Sequence, residues 1–160
     1  MSQIVHKTEN NKNLKILVGV VSTSRTDKTD ISGETLMNAF LQDGHNVNRI
    51  VCKDDEVQII NAFESNQDYD IFIFVGGTGP SRKDVTVQSL RKIAEKEMVG
   101  FGEMFRLESR NRLAYLSNAT LFVKNRKQIY CIPGSPDATA IAHTLIDSVM
   151  GHLYHELNKE

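Results

Sequence analysis

Ile71-Phe72-Ile73-Phe74-Val75-Gly76-Gly77-Thr78-Gly79-Pro80-Ser81-Arg82-Lys83-Asp84-Val85-Thr86 runs from the most apolar segment of the chain into its most glycine-rich loop. Five consecutive apolar residues, all β-branched or aromatic, read as a strand buried on both faces. A glycine-led loop follows. A helix is predicted over 84–96, with Val87, Leu90, Ile93 and Ala94 on one side. Strand, glycine loop and helix in that order make half of a βαβ unit, the building block of a parallel sheet.

Outward from this unit the alternation continues. Lys15–Val21 reads as another doubly buried strand and Val47 to Val51 as a third. A helix is predicted to open at Ser32-Gly33-Glu34, carrying Leu36, Met37, Phe40 and Leu41 on one face and ending at Gly44. Asp54 and Asp55 precede a helix with Val57, Ile59, Ile60 and Phe63. Further on, residues 99–112 combine a Gly-Phe-Gly turn with a short helical stretch. Residues 121–123 and 129–132 form a predicted hairpin, bridged by 124–128. Pro133-Gly134-Ser135-Pro136 is a tight loop. The closing helix places Ala138, Ile141, Ala142, Leu145, Ile146, Val149, Leu153 and Leu157 at 3/4 spacing. These elements predict a three-layer α/β/α sandwich around a mostly parallel sheet, with a flexible arm over 1–13 and one domain over 14–160.

Composition agrees with that class. The 160 residues suit one domain, and 40% hydrophobic with 24% charged residues is a globular profile. A net charge of −1 gives no electrostatic case for nucleic acid or an anionic membrane surface. Cys52 and Cys131 lie inside apolar runs and read as small core residues in a reducing compartment rather than a zinc site. The polar start of the chain lacks the apolar core of a signal peptide, and no run is long enough to span a membrane; the expected location is cytoplasmic. The five histidines show no metal spacing. Glu103 and Arg106, at i and i+3, read as an ion pair or a ligand clamp.

In an open α/β sheet, ligands bind beyond the carboxyl ends of the strands. Four polar loops leave strands there: 22–33, 54–55, 76–86 and 133–135. The loop 76–86 carries the most chemistry. Its three glycines let backbone N–H groups approach a ligand. Arg82 and Lys83 offer charge to a phosphate, and the loop feeds a helix N-terminus, which favours an anion. Asp84 either caps that helix or holds a divalent cation. The loop is neither a Walker A sequence nor G-x-G-x-x-G.

Gly76-Gly77-Thr78-Gly79-Pro80-Ser81-Arg82-Lys83-Asp84-Val85-Thr86 resembles the signature GGTG-x-x-x-[RK]-D-V-T of the molybdopterin-binding (MogA/MoaB) family of molybdenum-cofactor biosynthesis. Four further segments resemble it in order: Asp30-Ile31-Ser32-Gly33, Val51-Cys52-Lys53-Asp54-Asp55, Gly100-Phe101-Gly102-Glu103-Met104-Phe105-Arg106, and Ile132-Pro133-Gly134-Ser135-Pro136. Together they cover roughly residues 15 to 150.

The resemblance implies a homotrimer or homohexamer that uses ATP and Mg²⁺ to join AMP to molybdopterin, releasing pyrophosphate, with a molybdenum insertase as a downstream partner. The two aspartates most tied to activity in that branch fall on Asp54 and Asp84. On this reading Asp84 is the principal Mg²⁺- or ATP-organising carboxylate and Asp54 its partner. Gly76, Gly77, Thr78 and Gly79 offer donors to phosphate, and Lys83 neutralises charge. Ser22, Ser32, Gly33, Thr86, Gly134 and Ser135 complete the ATP and molybdopterin pocket.

Departures cluster in the second half. Gln88 stands where the family has Glu. Leu116-Ser117-Asn118-Ala119 replaces L-S-R-A, and Arg110-Asn111-Arg112-Leu113-Ala114 replaces a small-residue segment. Either Arg110 or Arg112 restores the lost charge, or the pterin side has decayed. The alternative function is a family member that binds molybdopterin or a nucleotide without transferring it.

Overall fold

The computed structural model describes residues 13–26 and 28–160; apart from Asn13, the expected arm over 1–13 lies outside them. In chain order the elements are β1 (Lys15–Val21), α1 (Ile31–Gln42), β2 (Asn46–Cys52), α2 (Glu56–Glu64), β3 (Ile71–Val75), α3 (Thr86–Arg91), β4 (Lys96–Glu97), α4 (Gly100–Glu108), a 3-10 turn (Arg112–Leu116), β5 (Thr120–Lys124), β6 (Lys127–Ile132) and α5 (Pro136–Asn158).

The strands form one six-stranded sheet in the order β2-β1-β3-β6-β5-β4. β2, β1, β3 and β6 run parallel, and β5 and β4 extend the sheet antiparallel. Strands β1 and β3 match their predicted bounds, because both are continuous apolar runs buried on both faces. Side-chain alternation splits the core in two. Ile16, Val18, Val20, Ile71, Ile73 and Val75 meet Leu36, Phe40, Phe105, Ala142 and Ile146 on the face covered by α1, α4 and α5. Leu17, Val21, Phe72 and Phe74 meet Ile59, Phe63, Val87 and Leu90 on the face covered by α2 and α3. This is the expected three-layer α/β/α arrangement. Every residue of β3 is at most 1% exposed, and each such large side chain contributes about 1.5–3 kcal/mol through burial.

Several local expectations are corrected. Leu41 and Val57 do not belong to the buried faces of α1 and α2; they are exposed. The helix predicted over 84–96 ends at Arg91. The Leu90 carbonyl accepts from both Ile93 (3.2 Å) and Ala94 (3.0 Å), which turns the chain so that Lys96–Glu97 pairs with β5. Gly100-Phe101-Gly102 is not a turn but the first turn of α4. A Cβ on Gly102 would lie 2.0 Å from the Ala119 carbonyl oxygen, so glycine there lets α4 pack against the chain entering β5. Arg106 does not pair with Glu103; it donates to the Ser117 and Ala119 carbonyls at 3.2 Å each. The hairpin is present, closed by Asn125 and Arg126, both with positive φ (52° and 61°), as a two-residue turn of the primed type requires.

Cys52 and Cys131 are both buried and unpaired. Burial, and secondarily the Asp54 carboxylate, push the Cys52 thiol up to about 11, which leaves it inert as a nucleophile. No helix among the described residues is long and apolar enough to cross a membrane.

Candidate active site at the carboxyl edge of the sheet

β2, β1, β3 and β6 are parallel, so the loops that leave them share one edge. Backbone bonds tie these loops together. Ser22 N–H donates to Cys52 C=O and Gly76 N–H to Ile132 C=O, each at 2.8 Å.

The loop after β3 takes its shape from its glycines. Gly76 and Gly77 have φ of +102° and +71°, a region costly for residues with a Cβ. A Cβ on Gly76 would meet the Val21 carbonyl oxygen at 2.6 Å, and one on Gly77 would meet Thr86 Oγ1 at 2.1 Å. Thr86 is fully buried. Its hydroxyl donates to Gly76 C=O (2.8 Å) and its amide to Gly77 C=O (3.1 Å). Thr86 therefore holds the loop from below.

Asp84 does not cap α3, whose first turn has no side-chain cap. Its Oδ2 instead accepts the Ser81 amide at 3.0 Å, closing the loop on itself. Gly79 lets this carboxylate approach, since a Cβ there would lie 2.8 Å from Oδ2. Asp84 Oδ1 accepts no hydrogen bond among the described residues.

A cavity of about 520 Å³ opens beside this loop. Its wall includes Gly76, Gly77, Thr78, Gly79 and Asp84 from the glycine loop. Pro133, Gly134, Ser135 and Asp137 come from the β6–α5 junction. Phe105, Ser109, Asn111, Leu113, Leu116 and Ser117 come from α4 and the 3-10 turn. The two halves are tied together: the Thr78 and Ser117 hydroxyls lie 3.0 Å apart, and the Asn118 amide donates to Thr78 C=O at 2.8 Å. Ser135 uses its hydroxyl to cap α5, accepting from Ala138 N–H at 3.2 Å.

Other expected site residues stand apart from this wall. Asp54 sits after β2, where Oδ2 accepts both the amide (3.0 Å) and the hydroxyl (2.9 Å) of Thr23. It is Asp55 that caps α2, through Gln58 N–H. Ser32 and Gly33 are buried in the first turn of α1 beneath its cap, Asp30. A Cβ on Gly33 would lie 2.1 Å from Asp30 Oδ2 and 2.5 Å from Val20 Cγ2, a packing reason for glycine. Ser22 Oγ accepts the Arg25 amide at 3.1 Å. Lys83 is exposed.

Sequence reasoning missed Asp137, Ser109, Asn111 and the Thr78–Ser117 link. Asn111 and Ser117 lie in the segments read as departures from the family pattern, 110–114 and 116–119. Asp137 is the acidic residue in the first turn of α5. Among the described residues no group of three or more His, Cys, Asp and Glu side chains is arranged to hold a metal ion by itself.

Comparison with known proteins agrees with this architecture. A family model described as "Probable molybdopterin binding domain" matches residues 13–151. The chain is 34% identical over 169 residues to "Molybdenum cofactor biosynthesis protein B" of Bacillus cereus, with all of both chains covered. It is 35% identical over 162 residues to the protein of that name from Staphylococcus aureus, covering 93% of this chain and 95% of that one. A crystal structure of a "Molybdenum cofactor biosynthesis protein B" superposes with a TM-score of 0.87 at 34% identity, covering 93% and 98% of the two chains. The tungsten cofactor synthesizing protein MoaB of Pyrococcus furiosus superposes with a TM-score of 0.81 at 25% identity, covering 92% and 99%. With a family model spanning most of its length and relatives this similar end to end, the chain belongs to the family of probable molybdopterin-binding domains.

Proposed function

We propose that this protein acts in molybdenum-cofactor biosynthesis by transferring AMP from ATP to the phosphate of molybdopterin. One observation carries the reading. A half-buried carboxylate, Asp84, stands in the wall of a sheet-edge cavity among the backbone groups of Gly76, Gly77, Thr78 and Gly79. Adenylyl transfer needs this kind of site. The molybdopterin phosphate is already a nucleophile, so the protein must position it against the α-phosphorus and compensate charge as pyrophosphate leaves. In the balanced step a phosphate oxygen of the pterin forms the new P–O bond, and the bond from the α-phosphorus to the bridging oxygen breaks.

The residues present fit a magnesium ion shared with substrate. Asp84, with Oδ1 unused, is the carboxylate that would hold it, together with substrate phosphates, as Mg²⁺ commonly binds; there it would supply neutralisation of phosphate charge. Asp54 lies outside the cavity wall and is bound to Thr23, so its proposed role is to fix the 22–26 loop at the site's margin. Lys83, exposed on the glycine loop, is proposed to neutralise phosphate charge. Ser22, Ser32, Gly33 and Thr86 act by shaping the loops that bear the pocket.

The active form is proposed to be a homotrimer or homohexamer. Met98, Val99, Met104, Leu107, Leu113, Tyr115 and Leu116 are all more than 40% exposed within one segment, whereas α5 exposes only Val149 among its large apolar residues. The surface for self-association therefore centres on 98–116, not on the terminal helix. The direct test of function is incubation of the purified protein with molybdopterin, ATP and Mg²⁺. Stoichiometric pyrophosphate and adenylylated molybdopterin are expected; tight binding of molybdopterin with no pyrophosphate would establish the binding-only alternative.

A further inference from the structure

Among the described residues the cavity wall carries two carboxylates, Asp84 and Asp137, and no lysine, arginine or histidine. A phosphate-bearing ligand entering it meets like charge at short range, which is unfavourable unless a cation stands close by. Lys83, Arg110 and Arg112 are exposed on the segments that border it and are not part of its wall. Arg106 is spent on two carbonyls behind the 3-10 turn. Arg49 donates to the backbone and side chain of Asp30 at 2.9 and 3.1 Å.

Arg25 differs from these. Its Nη1 lies 3.7 Å from where a Cβ on Gly134 would stand, and Gly134 is cavity wall. The side chain is 44% exposed, and its approach to Asp30 Oδ1 is 4.0 Å, beyond hydrogen-bond range. Asp30 does not need it: that carboxylate, itself fully buried, already accepts from Gly33 N–H at 3.0 Å and from Arg49. Among the described residues the Arg25 guanidinium makes no hydrogen bond. Its backbone is nonetheless fixed, because Arg25 N–H donates to Ser22 Oγ (3.1 Å) and Ser22 N–H to Cys52 C=O (2.8 Å). An oriented guanidinium with free donors at the lip of an acid-lined cavity is suited to a phosphate, whose oxygens it can engage two at a time.

We infer that Arg25 binds the phosphate that enters the cavity at Gly134, supplying the positive charge that the cavity wall lacks. The inference rests on the proposed phosphate chemistry of this site but not on turnover. Two ligands bring that group: molybdopterin as a phosphomonoester, and ATP as a triphosphate.

Equilibrium titrations of molybdopterin and of ATP with Mg²⁺ are made separately against wild type, Arg25→Gln, Arg25→Lys and the remote charge control Arg126→Gln, with pyrophosphate release followed in parallel. Arg25→Gln is expected to melt like wild type and to weaken one ligand at least tenfold. The ligand so weakened identifies which phosphate lies at Gly134. Arg25→Lys is expected to recover part of the loss, and Arg126→Gln to stay within twofold of wild type. Binding of both ligands to Arg25→Gln within twofold of wild type overturns the inference. Should Arg25→Gln unfold, Arg25→Lys decides: affinity below wild type for one ligand alone supports the inference, and unchanged affinity for both overturns it. Wild type that binds ligand but releases no pyrophosphate removes the transferase reading, and Arg25 is still judged by affinity. Wild type that binds neither ligand overturns both.

Discussion

The hydroxyls of Thr78 and Ser117 lie 3.0 Å apart, across 39 residues of sequence, and both residues are buried. Ser117 Oγ also accepts the Ala119 amide at 3.2 Å. One hydroxyl thus ties the glycine loop of the cavity wall to the segment where this sequence departs most from its family's pattern. Ser117→Ala removes a partner from the Thr78 hydroxyl and from the Ala119 amide. Leaving buried polar groups unpaired costs about 1–3 kcal/mol. At this chain length that is roughly 2–4 °C of melting temperature per kcal/mol. Calorimetry should show the loss, and substrate affinity should fall with it because the loop is no longer held. A melting temperature unchanged within 1 °C, roughly 0.3 kcal/mol on that scale, would show that the link holds nothing.

Two glycines of the cavity wall should respond unequally to alanine. Gly77 combines φ of +71° with a Thr86 hydroxyl 2.1 Å from the new Cβ. Gly77→Ala must distort the loop or displace Thr86, for a predicted loss of about 2 kcal/mol or more. At Gly134 the nearest atoms to a new Cβ are 3.7 to 3.9 Å away, ordinary contact. Gly134→Ala should melt within about 0.5 kcal/mol of wild type. Urea unfolding of the pair checks this, and equal destabilisation would contradict the steric account.

What the sequence disclosed follows from range. β1 and β3 were legible because doubly buried strands carry their signal in consecutive residues, and the helix termini at Gly44 and Asp55 because caps are local. α3 was overextended because Val87, Leu90, Ile93 and Ala94 keep helical spacing past its end. What stops it is the pairing of Lys96–Glu97 with β5, a non-local event that leaves almost no trace in two residues. Gly102 read as a turn residue when the reason for it is an Ala119 carbonyl in another element. The same limit governs the site. The glycine loop and the β6–α5 junction were visible as motifs, and the parallel order of β1, β3 and β6 brings them together. The 109–117 wall and the distance of Asp54 from it depend on packing that no spacing encodes.

His45 gives the fold an acid-sensitive point. It is buried, and its Nδ1 accepts the Leu14 amide at 3.3 Å just before β1. Burial holds its pKa below the ordinary 6.5, against the opposing pull of Asp43 and Asp147 and with a smaller push from His143. A folded-state pKa below the unfolded value means that the unfolded chain binds more protons in that window. The neutral imidazole's contribution is therefore present above about pH 6.5 and is lost as pH falls from there toward the lowered value. Protonation also removes the acceptor for Leu14 N–H. Melting temperatures from pH 7.5 down to 5.5 should fall more steeply for wild type than for His45→Gln. Parallel curves would place the acid sensitivity elsewhere.

Leu107, 77% exposed on α4, lies in the middle of the apolar 98–116 surface. If that surface is covered by another copy of the chain, Leu107→Glu buries a charge at the contact, which is costly without a partner. Light scattering at micromolar protein should give three or six chains for wild type and a smaller species for Leu107→Glu. A wild-type monomer would remove the proposed assembly.

The last prediction separates two aspartates that the sequence alone made hard to tell apart. Asp55 accepts Gln58 N–H at 3.0 Å and caps α2; Asp84 accepts Ser81 N–H at 3.0 Å and keeps Oδ1 open in the cavity wall. Asp55→Ala loses a cap, about 1 kcal/mol of stability, and should turn over like wild type once folded. Asp84→Ala loses a loop hydrogen bond of similar size. In the proposed reaction it also loses the carboxylate that organises metal and phosphates, an effect of order 10²–10³ in rate for a single electrostatic group. Melting temperature and pyrophosphate release therefore move independently. Both variants should melt a few degrees lower, about one kcal/mol each, and only Asp84→Ala should lose adenylyl transfer. Normal turnover by folded Asp84→Ala would reduce Asp84 to a loop-closing residue. The proposed chemistry would then have to be sought at Asp137, the cavity's other carboxylate.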